Sequence, residues 1–355
     1  RIDTGAFKET ILKASEYIQR NSFIERKNSA QKKGLLRGLG VGCFLETARG
    51  APQEGVSIRF TELGKIEIRV GTESNGQGHE TTFKQIASTR LGVPIEVLEY
   101  IQADTEQVAI GFGHGGARSM HMGAGTMALA IDSAIEKAGR VAATLLQTDI
   151  EELSFDKGAF LTSKDQRSVS IIEVASAARN SDVMPSLGEN GIDTFYKREE
   201  APFTFPNGCH AAEVEIDPDT GSLKLVNYVM VDDYGTLVNP TLTEGQLHGG
   251  VVQGIGQALE EFVAFDPETG QLLSGSLMDY TAPRAASFPF FKAHFQGVPT
   301  EANLLGVKGV GQAGCIAAPQ VITHAVLNAL QEYNIDHIQM PITSQSLWRS
   351  IQAAS

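Results

Sequence analysis

Four glycine-rich segments spread along the chain restrict its possible folds more than any other feature: Gly76-Gln77-Gly78-His79, residues 111–119, a set around Gln253, and residues 306–314. The set around Gln253 comprises Gly245, Gly249, Gly250, Gly254 and Gly256. The chain has 37 glycines in 355 residues, above the roughly 7% of average usage, and they are clustered. Three of the segments stand just ahead of an expected helix. There, bare backbone N–H groups form a cradle for an anion or a carbonyl-rich ring, although a tight strand-to-helix turn explains each segment equally well. The set around Gln253 lies inside a helical run, where each glycine costs about 1 kcal/mol relative to alanine. Either tight helix packing or close approach of a ligand offsets that cost. Three segments carry a glutamine, whose amide donates and accepts in one plane and can read a polar ring without adding charge. A common large polar ligand unites them.

Around these segments the hydrophobic periodicity predicts an α+β fold. Residues 1–33 read as a helical lead-in, with Phe7, Ile11, Leu12, Ala14 and Ile18 at helical spacing, and the opening without Met suggests a chain cut from something larger. Residues 34–193 read as a first subdomain, with strands at 55–60, 66–70 and 95–101, helices at 80–91, 122–146 and 171–178, and a linker at 180–193. Residues 194–355 read as a second, opening on a hairpin of 211–216 and 222–231 about the turn Asp217-Pro218-Asp219-Thr220-Gly221. Helices are expected at 243–262, 315–333 and 345–353. Hairpins alternating with long helices indicate two tandem mixed-sheet-plus-helix layers rather than a doubly wound parallel sheet.

Asp and Glu number 42 against 29 Lys and Arg, a formal net charge of −13, so no nucleic-acid partner is expected. No apolar run reaches the roughly 18–20 residues that span a bilayer, and residues 1–3 open no signal-peptide core, so no membrane association and a cytoplasmic location are expected. Cys43, Cys209 and Cys315 lie far apart and read as buried thiols, not as a disulfide or zinc framework. His79, His114, His121 and His248 have no metal-ligand spacing and read as hydrogen-bonding or core residues, so no protein metal site is expected. The P-loop, dinucleotide fingerprint and GxSxG patterns are absent from the sequence.

The constellation resembles the molybdenum-cofactor-binding large subunit of the xanthine dehydrogenase / aldehyde oxidase / carbon monoxide dehydrogenase family. The matching stretches include Gly76-Gln77-Gly78-His79-Glu80-Thr81, residues 113–119, Gly245-Gln246-Leu247-His248-Gly249-Gly250, Gln253-Gly254-Ile255-Gly256-Gln257 and residues 306–314. The resemblance runs in order over nearly the whole chain and implies its C-terminal, second cofactor-binding half. It implies that Gln77, Gly78, His114, Gly115, Gly116, Ala117, Arg118, Ser119, Gln253, Lys308 and Gly311 hold a molybdenum–molybdopterin cofactor, with the cytosine dinucleotide form an option. Cys43 and Phe44 fall near a position that lines the substrate pocket in relatives, a core role being the alternative.

The family reaction is oxidative hydroxylation of an aldehyde or N-heteroaromatic small molecule, with water as oxygen source. Electrons leave through 2Fe-2S clusters to FAD on partner domains or subunits. The resemblance therefore implies an N-terminal molybdenum-binding half or subunit, an iron–sulfur subunit and a flavoprotein subunit, together forming a dimer of hetero-oligomers. An isolated chain is expected to expose an apolar face where the other half docks. Relatives carry a general-base Glu at the end of the last glycine segment, where this chain has Gln312. An amide is almost non-basic near neutral pH. Three accounts fit: loss of activity, which would leave a non-catalytic binding homologue; a base supplied from elsewhere; or a substrate acidic enough to need less help.

Overall fold

The computed structural model of the chain describes residues 2–180 and 191–354. Most of the expected linker lies outside the described residues. Helices α1 (Phe7–Tyr17) and α2 (Phe23–Gln31) open the chain, followed by strands β1 (Leu36–Leu45), β2 (Glu54–Phe60) and β3 (Ile66–Val70). Helix α3 (His79–Leu91) and strand β4 (Leu98–Ile101) come next, and a wide π-type turn over Ser119–Ala124 introduces the long helix α4 (Gly125–Leu146). Strands β5 (Leu153–Asp156), β6 (Ala159–Thr162) and β7 (Ser168–Ser170) precede helix α5 (Ile171–Ala178) and strand β8 (Thr194–Arg198). The predicted hairpin is β9 (Asn207–Ile216) with β10 (Leu223–Asp233). Helix α6 (Pro240–Leu259), strand β11 (Lys292–Phe295) and helices α7 (Ala313–Ala329) and α8 (Ser344–Ala354) complete the order.

Among the described residues the strands make three sheets, β4-β3-β2-β8, β1-β9-β10-β11 and the small β5-β6-β7, and helices pack on them as an α+β architecture. In β2, Val56, Ile58 and Phe60 alternate inward and meet Phe83 and Leu91 of α3 and Met127 and Ile131 of α4. Each such side chain, fully buried, contributes about 1.5–3 kcal/mol. Strand β9 is buried on both faces. Ala212, Val214 and Ile216 join the core beneath α6 and α7, whereas Cys209 and Ala211 pack with Ala14 and Ile18 of α1. The lead-in helices are thus the outer cover of this sheet.

The sheets do not divide at residue 193. Strand β1 pairs antiparallel with β9, from Leu36 opposite Ile216 to Leu45 opposite Asn207, and β8 pairs antiparallel with β2. One strand from each expected subdomain therefore belongs to the other's sheet, because strand pairing is long-range whereas the expected boundary followed local composition. Strand β1 itself was unforeseen, since Gly38, Gly40 and Gly42 lower its strand propensity. Those glycines let α7 lie directly on the strand: a Cβ at Gly40 would stand 2.0 Å from the Val321 carbonyl oxygen. Gly40→Ala is accordingly expected to lose about 3 kcal/mol of stability, the upper end of ordinary overpacking costs, measured by urea denaturation.

The glycines of α6 separate by face. Gly250 and Gly254 approach Gly314, Ala318 and Pro319 of α7, which is the helix-packing account, whereas Gly245 and Gly249 face open space. Only one of the three cysteines is a buried thiol. Cys209 is buried, Cys315 is intermediate, and Cys43 is exposed because β1 is the edge strand of its sheet. No described helix is long and apolar enough to cross a membrane.

Candidate functional site

A cavity of about 380 Å³ opens where β3 and β10 run out into loops. Its wall is built from four stretches, within residues 75–82, 114–120, 234–246 and 307–312. Three glycine-rich segments thus converge on one space, and α6 reaches it through Leu242, Thr243 and Gln246 in its first turns.

Two helices begin at this wall without a side-chain cap. Gly78, at φ +76°, precedes α3, and Gln312 precedes α7. Their first-turn N–H groups and the positive ends of the helix dipoles make the wall favourable to an anionic group. Gly115 and Gly311 show bare backbone, since a Cβ on either would meet nothing within 4 Å. At Gly116, φ +85°, a Cβ would lie 2.6 Å from Gly50 Cα, so this turn tolerates only glycine.

Gln77, His114, Gly115, Gly116, Ala117, Ser119, Lys308, Gly311 and Gln312 all line the cavity. Gln77 is held by its oxygen, which accepts from the Asn75 N–H at 2.6 Å and the Ser74 hydroxyl at 3.2 Å. Gln312 is held by its nitrogen, which donates to Glu46 Oε1 at 2.8 Å. Gly78 stands just behind the wall, against Leu242.

Four expected residues lie elsewhere. Arg118 is fully buried beneath the loop, where it pairs with Glu54 at 2.8 Å and donates to the carbonyls of Gly113, Ala51 and Gln53. A buried guanidinium must be paired, and these partners turn it away from the cavity. Gln253 is exposed on α6, seven residues beyond Gln246, so it shares that residue's stripe but sits about 10 Å farther along. Cys43 is exposed on β1, and Phe44 is buried with its ring 5.5 Å from that of His210, a core position. Lys308, although in the wall, has its ammonium committed to Asp233 at 2.8 Å and the Thr4 carbonyl at 3.1 Å.

Other polar groups in and behind the wall, His79 excepted, had no individual sequence signal. Tyr234 donates to Asp232 at 2.7 Å, and Asp232 also receives His210 at 3.1 Å, a buried polar cluster beside the cavity. His79 is buried at the start of α3, its Nδ1 without a partner among the described residues, and burial together with His114 lowers its pKa to about 4. It is neutral at physiological pH. Glu46 and Glu54 are buried carboxyls that meet their partners only through the fold, with burial raising both pKa values, that of Glu54 to about 7. No group of three His, Cys, Asp or Glu side chains converges as a metal cage among the described residues.

Comparison with known proteins agrees with this architecture. The model of the molybdopterin cofactor-binding domain matches residues 10–289. The nicotine 6-hydroxylase large subunit of Paenarthrobacter nicotinovorans is 32% identical over 98% of this chain and 44% of its own length. The carbon monoxide dehydrogenase large chain of Hydrogenophaga pseudoflava is 31% identical over 89% of this chain and 41% of its own. Among solved structures, quinoline 2-oxidoreductase from Pseudomonas putida 86 superposes with a TM-score of 0.90 at 30% identity, covering 98% of this chain and 46% of that one. The Cu,Mo-CO dehydrogenase superposes at 0.91 with 28% identity, over 99% of this chain and 46% of that one. The chain therefore spans less than half the length of these relatives. With a family model over most of its length and relatives of 31% and 32% identity matched over nearly the whole of this chain, the chain belongs to the molybdopterin cofactor-binding family of the molybdenum hydroxylases.

Proposed function

We propose that this chain supplies the cofactor-gripping half of a hydroxylase that oxidises an aldehyde or an N-heteroaromatic compound with water as the oxygen source. The observation that carries the reading is the convergence of Gln77, Ser119 and Gln312 with the bare backbone of Gly115, Gly116 and Gly311 on one cavity. These residues fit a molybdopterin. Uncapped helix starts suit its phosphate, fixed carboxamides suit the edge of its ring, and the exposed glycine backbone leaves it room. When bound, the group supplies a metal centre that takes two electrons from the substrate carbon. In this proposal the pterin, not the protein, holds the metal.

The chain's own residues do the rest. Gln77 would offer its Nε2 to an acceptor atom of the bound group, and Ser119 would offer a hydroxyl. Leu237, Val238, Leu242 and Val310 provide the apolar part of the wall, which excludes water and strengthens the polar contacts. Gln312 accepts a hydrogen bond but does not take up a proton near neutral pH. A second reading, a non-catalytic binding homologue, rests on that same amide.

The relatives are called large subunit and large chain and are longer than this chain, which supports partner subunits here; an N-terminal molybdenum-binding half and iron–sulfur and flavoprotein partners belong to the same proposal. Exposed Phe262, Val263, Phe265, Leu277, Met278 and Phe290 crowd one stretch of chain and supply an apolar docking face for such a partner. The cytosine dinucleotide form of the cofactor belongs to the same proposal. The test is to co-express the chain with its neighbouring subunits and measure molybdenum and released nucleotide per chain. Gln77→Leu is expected to lower molybdenum content about tenfold, one lost polar contact being worth about 1.4 kcal/mol or more, and Gly116→Val at least as much because its Cβ collides with Gly50 and displaces the loop. Full loading in both variants would move the cofactor to another surface.

A further inference from the structure

Gln312 and Glu46 are 266 positions apart in sequence, yet the Gln312 amide nitrogen donates to Glu46 Oε1 at 2.8 Å. Glu46 follows the last residue of β1, is only 6% exposed, and has its backbone N–H tied to the Pro206 carbonyl. Its second oxygen, Oε2, has no partner among the described residues. An ionised carboxylate only accepts hydrogen bonds, so it can bind a primary amide through the nitrogen end alone. The carbonyl oxygen of Gln312 is then the end left for the cavity. Gln77 is oriented in the opposite sense, because the Asn75 N–H that holds it only donates. One cavity therefore contains two carboxamides fixed in opposite directions, each by a neighbour that could not hold it the other way round.

We propose that Glu46 is a positioning residue that locks Gln312 with its carbonyl oxygen toward the cavity, making this wall an acceptor for an N–H or O–H of the substrate. The inference rests on the proposed function of the cavity and narrows its substrate class. An N-heteroaromatic compound bearing a ring N–H, or a hydroxylated one, finds a partner at Gln312, whereas a simple aldehyde does not. Burial raises the Glu46 pKa while the hydrogen bond from Gln312 opposes that and favours the ionised form; a carboxyl at position 312 removes this bond, and the two acids would then share one proton rather than leave a free base.

The experiment labels the full chain with 15N-glutamine and follows the side-chain amide of Gln312, assigned by its disappearance in Gln312→Met. In Glu46→Gln, the new side chain can donate or accept, so the Gln312 resonances are expected to shift and their hydrogen exchange to rise roughly tenfold, the worth of a hydrogen bond to a charged group. Glu46→Asp, which keeps the charge on a shorter stem, is expected to restore part of the protection and serves if the first variant does not fold. Unchanged Gln312 signals in both variants overturn the proposal. A second measurement uses the assembled, molybdenum-loaded enzyme. Gln312→Glu is expected to raise kcat in the Glu46→Gln background and not beside native Glu46, and an equal gain in both backgrounds overturns the proposal. The amide signals need no cofactor, so they report on Glu46 alone, while molybdenum content reports on the function from which the substrate class follows.

Discussion

Arg118→Ala is expected to cost about 3–5 kcal/mol of folding free energy, the usual penalty for stripping one partner from a buried ion pair. Arg118 and Glu54 are both fully buried, 2.8 Å apart, and the guanidinium also satisfies the carbonyls of Gly113, Ala51 and Gln53. The variant leaves three carbonyls and a carboxyl without their donor. The deficit should also depend on pH. Burial already raises the Glu54 pKa to about 7 despite Arg118, and removing the cation raises it further. A carboxyl whose folded pKa lies above its unfolded value contributes stability at low pH and loses it as pH rises through the folded pKa. The loss is therefore larger in the variant, and its deficit should be smallest below pH 7 and grow above it. Urea denaturation of both proteins at about pH 5 and about pH 9 measures this. Because Arg118 underlies the 113–119 loop, cofactor retention should fall with stability. A deficit under about 1 kcal/mol would mean the pair is replaceable by water.

Acidification should destabilise the chain through two histidines. His79 and His121 are buried, and burial lowers each pKa from 6.5 to about 4. The His121 Nε2–H donates to the Pro202 carbonyl at 2.8 Å, and its Nδ1 accepts from the Asn303 amide at 2.9 Å. Asn303 in turn holds the backbone of Leu305 and of Val307, at the start of the last glycine segment. Protonation of His121 would set two donors against each other. Both folded pKa values are depressed, so their stability is present in full above 6.5 and is lost as pH falls toward 4, about 3 kcal/mol for each histidine. Glu54, whose pKa is raised, gains stability over the same window, so the histidine loss is read as a difference between chains. Urea denaturation at neutral pH and at about pH 4.5 is expected to show the native chain losing more stability on acidification than the double variant His79→Gln with His121→Gln. Equal pH dependence in the two chains would assign the acid sensitivity to other groups.

How much of this was legible in the sequence varied with the range of the interaction. Val56, Ile58 and Phe60 against Ile66, Ile68 and Val70 announce β2 and β3 through alternation alone, and Asp217-Pro218-Asp219-Thr220-Gly221 announces the β9–β10 hairpin. Strand β1 escapes because its alternate glycines exist to admit α7, and β11 because four residues in a Pro- and Phe-rich stretch carry no period. At the site, Gln77, Ser119 and Gln312 stand beside glycines and could be picked out. Glu46 and Glu54 could not, since a lone glutamate has no local mark that distinguishes a buried carboxyl from a solvated one.

The amino-acid order alone determined the helices, the hairpin, the bare-backbone bends and the glutamines set among them, because each depends on neighbours a few residues away. Only the tertiary structure decided that Arg118 faces Glu54 rather than the cavity, that Gln246 and not Gln253 reaches the wall, and that Glu46 meets Gln312. Which partner a buried charge or amide takes is settled by desolvation and contact between segments far apart in the chain, 64 positions for Arg118 and Glu54 and 266 for Gln312 and Glu46, and those have no signature in local sequence.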